Sequence, residues 1–179
     1  MQLTINLPSR DEVLASNRKR WEEVLADPTI SKLPGRIETN AFGNIIMSPP
    51  PGGPHCKRQF RIGKQLEKLL GGEGFGECPI STIDGVKACD AAWYSDQRYA
   101  KVRGQKAFEI APEICVEVIS ASNTAAEIKY KRDLYFEAGA TECWQCDLNG
   151  RMTYYTADAP NTSKTRSELC PKFPEAIED

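Results

Sequence analysis

The chain has 179 residues, with 23 basic and 25 acidic side chains and a formal net charge of −2. That length suits one domain with a core of several strands and helices, and the near balance of charge excludes a strong overall field for a polyanion, so any nucleic-acid contact rests on local patches. No apolar run reaches membrane-span length, and the N-terminal MQLTINLPSRDEV lacks the basic, apolar and small-residue succession of an export signal, which sets the expectation of a soluble, cytoplasmic protein.

Seven cysteines are an odd number, and Cys89, Cys115 and Cys143 sit in strand-like segments, so reduced thiols in a core are expected rather than a disulfide framework. Ser9-Arg-Asp-Glu12 has capping-box spacing, and Val13, Trp21, Val24 and Leu25 form an imperfect stripe, predicting a first helix over about 10–26 that ends at Asp27-Pro28. Arg36–Thr39 and Asn44–Met47 are strand-like runs either side of AFG, predicting a hairpin that turns near Gly43, with Glu38 in its first strand and SPPPGGP after it. From Lys57 to Leu70 a helix is predicted with Phe60, Gly63, Leu66 and Leu70 on one side and Lys57, Arg58, Arg61, Lys64 and Lys68 around the rest.

GGEGFG, at 71–76, follows a helix and precedes none, which excludes a phosphate-binding loop and leaves a flexible connection. Val86 to Tyr94 reads as a strand, with Val86, Ala88, Asp90, Ala92 and Tyr94 alternating onto one face. The polar, basic run at 95–109 reads as a surface loop. Thr141–Asp147 and Met152–Thr156 read as strands joined by an Asn149-Gly150 turn, and the chain from about 157 reads as an irregular tail.

The informative stretch lies between these, from Glu113 to Gly139. Ile114 to Ile119 is an apolar, β-branched-rich run expected of a strand covered on both faces, yet Glu117 stands in its middle, and an ionised carboxylate is rarely buried without partners. Thr124-Ala-Ala-Glu127 is a second capping box and Gly139 a left-handed stop, predicting a helix over about 125–138. At roughly 100° per residue, Ile128, Lys131, Leu134, Tyr135 and Ala138 fall on one stripe while Lys129 points almost opposite. Lys131 is therefore expected to face inward.

Two carboxylates on successive buried strands, Asp90 and Glu117, are what an oxygen-seeking divalent cation such as Mg²⁺ requires, with water and a substrate phosphate completing its shell. An inward lysine nearby can orient a water and offset charge developing on a phosphoryl group. The alternative is that each acid is paired with a basic side chain or reaches a strand end.

At these residues the chain resembles the Uma-type restriction endonuclease family of the PD-(D/E)XK nuclease superfamily. The resemblance runs from about Arg36 to Tyr155. It rests on Glu38 ahead of a Gly-containing turn with IIMSPP, His55 before a helix, Asp90 in its strand, EVIS at 117–120, Lys131 with Tyr135 and Gly139, and Glu142-Cys-Trp144. It implies an α/β fold with a restriction-endonuclease-like mixed β-sheet flanked by helices, forming a single domain over 1–179 with its core at about 36–156. It further implies a metal-dependent DNA endonuclease in which Asp90 and Glu117 hold Mg²⁺, with Mn²⁺ as substitute, and Glu38 assists from the first hairpin. In the superfamily motif a lysine stands two residues after the glutamate; here that position is Ile119, and the family's usual answer, a lysine moved to the following helix, matches Lys131. Cys89, Ala140 and Cys143 depart from the family's common residues without removing a catalytic group. DNA is the implied partner, and a homodimer is the family-level expectation, since two sites are needed to cut both strands together.

Two rivals come from other classes. A nuclease fold can bind DNA or regulate without turnover. Cys143-Trp-Gln-Cys146 spells CxxC, but without a helix N-terminus to lower a thiol pKa the redox reading is weak, and a single histidine makes zinc equally weak. His55 itself reads as a capping or packing residue and is left outside the catalytic set.

Overall fold

The structure, a computed structural model, describes residues 7–178; residues 1–6, where the export-signal reading began, lie outside them. Helix α1 (Arg10–Ala26) starts at a complete Ser9/Glu12 capping box and buries Leu14, Asn17, Trp21 and Val24. The stripe thus runs through Leu14 rather than Val13, and Leu25 is exposed. A short 3-10 turn at Ile30–Lys32 leads into the hairpin β1 (Arg36–Thr39) and β2 (Ile45–Ser48), which turns through Gly43 at φ +72°. Helix α2 (Gly53–Leu70) begins four residues before the expected start, because Pro54 needs no N–H partner in the first turn.

A six-stranded sheet follows in the order β3-β4-β5-β6-β7-β8. Its members are β3 (Glu73–Thr82), β4 (Gly85–Tyr94), β5 (Ile114–Val118), β6 (Glu142–Cys146), β7 (Met152–Thr156) and β8 (Ala159–Lys164). Helix α3 (Asp96–Val102) joins β4 to β5, and α4 (Ala125–Glu137) crosses from β5 to β6, the single parallel pair; all other pairs are antiparallel.

Three expectations are corrected here. The segment taken as a flexible connection runs into the edge strand β3, which pairs with β4 along nearly its whole length. The segment taken as a loop carries α3, capped by the Ser95 side chain. The tail taken as irregular contributes β8, and its Cys170, Phe173 and Ile177 are buried.

Alternation along the sheet gives two cores. On one face Ile62 and Leu66 of α2, together with Phe173 and Ile177, cover Ile114, Val116, Val118 and Trp144. On the other, Tyr135 and Ala138 join Cys78, Cys89, Cys115 and Cys143. Those four thiols lie on adjacent strands, Cys78 opposite Cys89 and Cys115 opposite Cys143, and none of the cysteines forms a disulfide among the described residues. Cys143 and Cys146 of the CxxC motif belong to opposite cores, so they do not form a pair. Burial raises the Cys143 thiol, the reverse of what a redox cysteine needs.

The tail is held by Glu142. Its buried carboxylate accepts hydrogen bonds from Trp144 Nε1 (2.6 Å), Ser167 Oγ (2.6 Å) and the backbone N–H groups of Glu168 (2.7 Å) and Leu169 (2.8 Å). Four donors satisfy a charge that would otherwise be costly inside the protein. At the β6–β7 turn, Gly150 has φ +82° and lies so close to Ile177 that a Cβ would collide with its carbonyl.

Candidate active site

The β4–β5 ladder is short. It runs from Trp93↔Ile114 to Ala91↔Val116, and beyond that point side chains take over the backbone groups. Val118 N–H donates to Asp90 Oδ2 at 2.6 Å, and Ala88 N–H donates to Glu38 Oε1 at 3.0 Å. The Ala88 carbonyl accepts from Lys131 Nζ at 3.1 Å. A parting of strands is a natural place for polar side chains, because each unladdered backbone group needs a partner. Here it brings Glu38, Asp90, Glu117 and Lys131 together around one pocket of about 270 Å³.

The chain distortion extends to the neighbouring strand. Cys89, Ala92 and Tyr94 share one core cluster, so the expected alternation through Asp90 slips by one residue. Glu77, which the β3–β4 register sets opposite Asp90, has φ +50°, a conformation that costs a non-glycine residue about 1–2 kcal/mol. Strain of this kind collects at functional centres.

Lys131 is buried, at 6% exposure, and bridges Glu117 Oε1 at 3.0 Å and Glu38 Oε1 at 3.1 Å. With the Ala88 carbonyl it has three acceptors for three N–H groups. Burial opposes its charge, but Glu117 and Glu38 more than restore it and raise its pKa. Lys129 points outward and pairs with Asp133 at 2.6 Å, as helix geometry predicts.

The two central acids are tuned apart. Burial works against the Asp90 charge, but His55 and Arg36 outweigh it and hold the carboxyl below the usual range. Glu117 is pushed up to about 7, chiefly by burial, with Lys131 only partly offsetting it and the Asp90 charge adding to it. Tyr135 donates its hydroxyl to Glu117 at 2.6 Å. Carboxylates whose environments drive their pKa values in opposite directions mark sites where acid and base roles divide.

Two contacts were missed from the sequence. Arg36 lies 2.5 Å from Asp90 Oδ1, 3.4 Å from Glu77 and 3.9 Å from Glu38. Strand alternation sets Arg36 and Glu38 on one face of β1, a signal that was available. His55, in the first turn of α2, reaches Asp90 Oδ1 at 3.3 Å, and its hydrogen bond with Asp90 raises its pKa, so it is part of the acidic centre rather than a cap.

The basic helix face is also redrawn. Arg58 is buried and donates to the carbonyls of Asp147 and Leu148, and Arg61 donates to the carbonyl of Glu178. Their charges serve to tie α2 to other parts of the chain. Lys57 and Lys101 are exposed. Phe60, expected on the packed side, is 68% exposed, and Ile62 takes its place in the core.

Glu38, Asp90 and Glu117 offer only hard oxygen donors, and the positive guanidinium beside Asp90 marks a position suited to a cation. The donor chemistry therefore fits Mg²⁺ or Mn²⁺. Among the described residues no group of three or more His, Cys, Asp and Glu side chains is placed to hold a metal ion, so a bound ion would rest on at most two of these carboxylates.

The chain folds as a mixed sheet flanked by helices, with an acidic centre where two strands part. It is similar to the crystal structure of "a putative nuclease belonging to DUF820 from Anabaena variabilis ATCC 29413", with a TM-score of 0.60 and 18% identity over 77% of this chain and 82% of that one. The sequence model of the Uma2 family, described as "Putative restriction endonuclease", matches residues 21–168, and the chain belongs to that family. Curated proteins give no match. No helix among the described residues is long and apolar enough to cross a membrane.

Proposed function

We propose that the protein is a metal-dependent DNA endonuclease of restriction type, acting in the cytoplasm as a single-domain protomer of a homodimer. The observation that carries this reading is the convergence of Glu38, Asp90, Glu117 and Lys131 on one pocket within a chain of the Uma2 family. Asp90 and Glu117 hold Mg²⁺, and Glu38 assists from β1. The bound ion supplies Lewis-acid polarisation of the phosphoryl oxygen and an activated water. Lys131 keeps its proton, because two acids surround it, so it acts by orienting a water and balancing charge on the phosphate rather than as a base. Glu117 ionises near neutrality, which couples ion binding to loss of its proton.

One observation favours the rival, a DNA-binding protein of nuclease fold without turnover: Lys131 and Arg36 already pair with the acids, so much of the centre's negative charge is offset without an ion. The deciding experiment incubates supercoiled plasmid with the purified protein in Mg²⁺, in Mn²⁺ and in chelator. Nicked or linear product in the metal lanes alone is the expected result. Plasmid shifted on a gel but uncut under every condition would establish the binding protein.

A further inference from the structure

Arg36 stands at the boundary of two cavities. One is the acidic pocket of about 270 Å³ that contains Glu38, Asp90, Glu117 and Lys131. The other, of about 940 Å³, runs beside α2 and β3 and is lined by Gln59, Phe60, Lys64, Glu67 and Phe75 among others. Arg36 and Glu77 line both.

The two cations of the centre are held differently. Lys131 is locked by three acceptors from β1, β4 and β5. Arg36 comes from one short strand of the separate β1–β2 hairpin, and its close contact is with Asp90 Oδ1, which His55 Nε2 also reaches at 3.3 Å, while Val118 N–H takes Oδ2. A divalent ion approaching Asp90 meets this guanidinium at the same oxygen. Added beside Arg36 and His55, a doubly charged ion is strongly repelled in this buried setting. Glu77, 3.4 Å from the same guanidinium nitrogen and facing both cavities, gives Arg36 a partner that does not depend on Asp90.

We propose that Arg36 is a displaceable counter-cation: in the metal-free protein its guanidinium occupies the place beside Asp90 that a divalent ion takes, and ion binding turns it towards the adjoining groove, where it pairs with a DNA phosphate. This rests on the metal-dependent reading of the same centre. Arginine suits the exchange, since its planar fork fits a carboxylate and a phosphate equally and never loses its charge. The negative charge of the acidic centre is thereby partly offset until the ion arrives, and the freed charge then favours the polyanion. Ion and DNA binding become mutually reinforcing.

The test measures Mn²⁺ binding to the full chain without DNA, by the electron paramagnetic resonance signal of free Mn²⁺, in wild type, Arg36→Met, Arg36→Lys and Asp90→Asn. Arg36→Met is expected to bind Mn²⁺ about tenfold or more tightly than wild type, and Arg36→Lys to stay near wild type. Mn²⁺ should also raise the melting temperature of Arg36→Met by more than that of wild type. Arg36→Gln, which retains an N–H for Asp90, replaces Arg36→Met if that variant does not fold. The second readout is DNA affinity by fluorescence anisotropy in Ca²⁺ and in chelator: the loss caused by removing Arg36 should be several-fold larger in Ca²⁺. Mn²⁺ affinity unchanged or weakened in both neutral variants overturns the displacement while leaving the metal site standing, and an equal loss of DNA affinity with and without Ca²⁺ overturns the movement towards phosphate. Absence of Mn²⁺ binding in wild type, or binding indifferent to Asp90→Asn, overturns the metal reading and this inference with it.

Discussion

Tyr135 donates its hydroxyl to Glu117 at 2.6 Å, on the same oxygen that Lys131 approaches at 3.0 Å. The helix that supplies the cation also supplies a neutral donor one turn further along its inward stripe. Both groups of α4, together with Arg36 of β1, favour the ionised form of Glu117. Removing the hydroxyl leaves a buried acceptor short of one bond, so Tyr135→Phe should lower stability by about 1–3 kcal/mol and push the Glu117 carboxyl higher still. Denaturant unfolding of the two proteins at neutral pH checks the first effect, and carboxyl titration by nuclear magnetic resonance checks the second.

The raised Glu117 carboxyl carries a pH dependence with a definite sign. Its value in the folded protein, about 7, lies above its ordinary value of 4.5, so between these limits the native state holds the proton more tightly than the unfolded chain. The contribution of this residue to stability is therefore greatest below about pH 4.5, declines as pH rises to about 7 and is level beyond. In chelator, Glu117→Gln should gain stability relative to wild type across that window, by a few kcal/mol in order of magnitude. A difference between the two proteins that does not change from pH 5 to pH 8 would assign Glu117 an ordinary ionisation.

Lys131 and Lys129 differ by two positions and should differ widely in effect. Lys131→Ala should lower metal-dependent cleavage at least about a hundredfold, the scale of one positioned electrostatic group, whereas Lys129→Ala, which loses an exposed pair with Asp133, should leave it nearly unchanged. A thermal melt in Mn²⁺ must accompany the assay, because loss of Lys131 leaves Glu38 and Glu117 unbalanced. Full cleavage by folded Lys131→Ala would end its role in the reaction.

The basic residues divide into two groups by their contacts. Lys57→Ala and Lys101→Ala should each reduce the slope of log affinity against log salt by up to about 0.9 if they meet duplex phosphates. Arg58→Ala should leave the slope alone and destabilise the fold, since two carbonyls of the β6–β7 turn lose their donor. Salt titrations of DNA binding paired with melting curves separate the two effects.

Local signals account for what could be read in advance. The capping box at Thr124, the stop at Gly139 and the helical period placed Lys131 inward, and all three are properties of a few adjacent residues. Edge strand β3 was hidden because EGFGECPIST contains two glycines and a proline, poor strand formers, and it is extended only through its pairing with β4. The tail was hidden for a similar reason: Phe173 and Ile177 find their places through Glu142 and Gly150, far away in sequence. His55 escaped because nothing in its own neighbourhood reports that Asp90 lies beside it, whereas Arg36 was signalled only by sharing a face of β1 with Glu38.

Lys131 also sets an order of events during synthesis. A chain leaves the ribosome N-terminus first, so Glu38, Ala88 and Glu117 emerge before the lysine that joins them. Until α4 is clear of the exit tunnel, β1, β4 and β5 lack the ammonium group that links them, and Glu117 has no reason to leave water. A product released early, ending before α4, would carry its acidic strands without a closed centre. The pocket is therefore complete only once translation has passed residue 131.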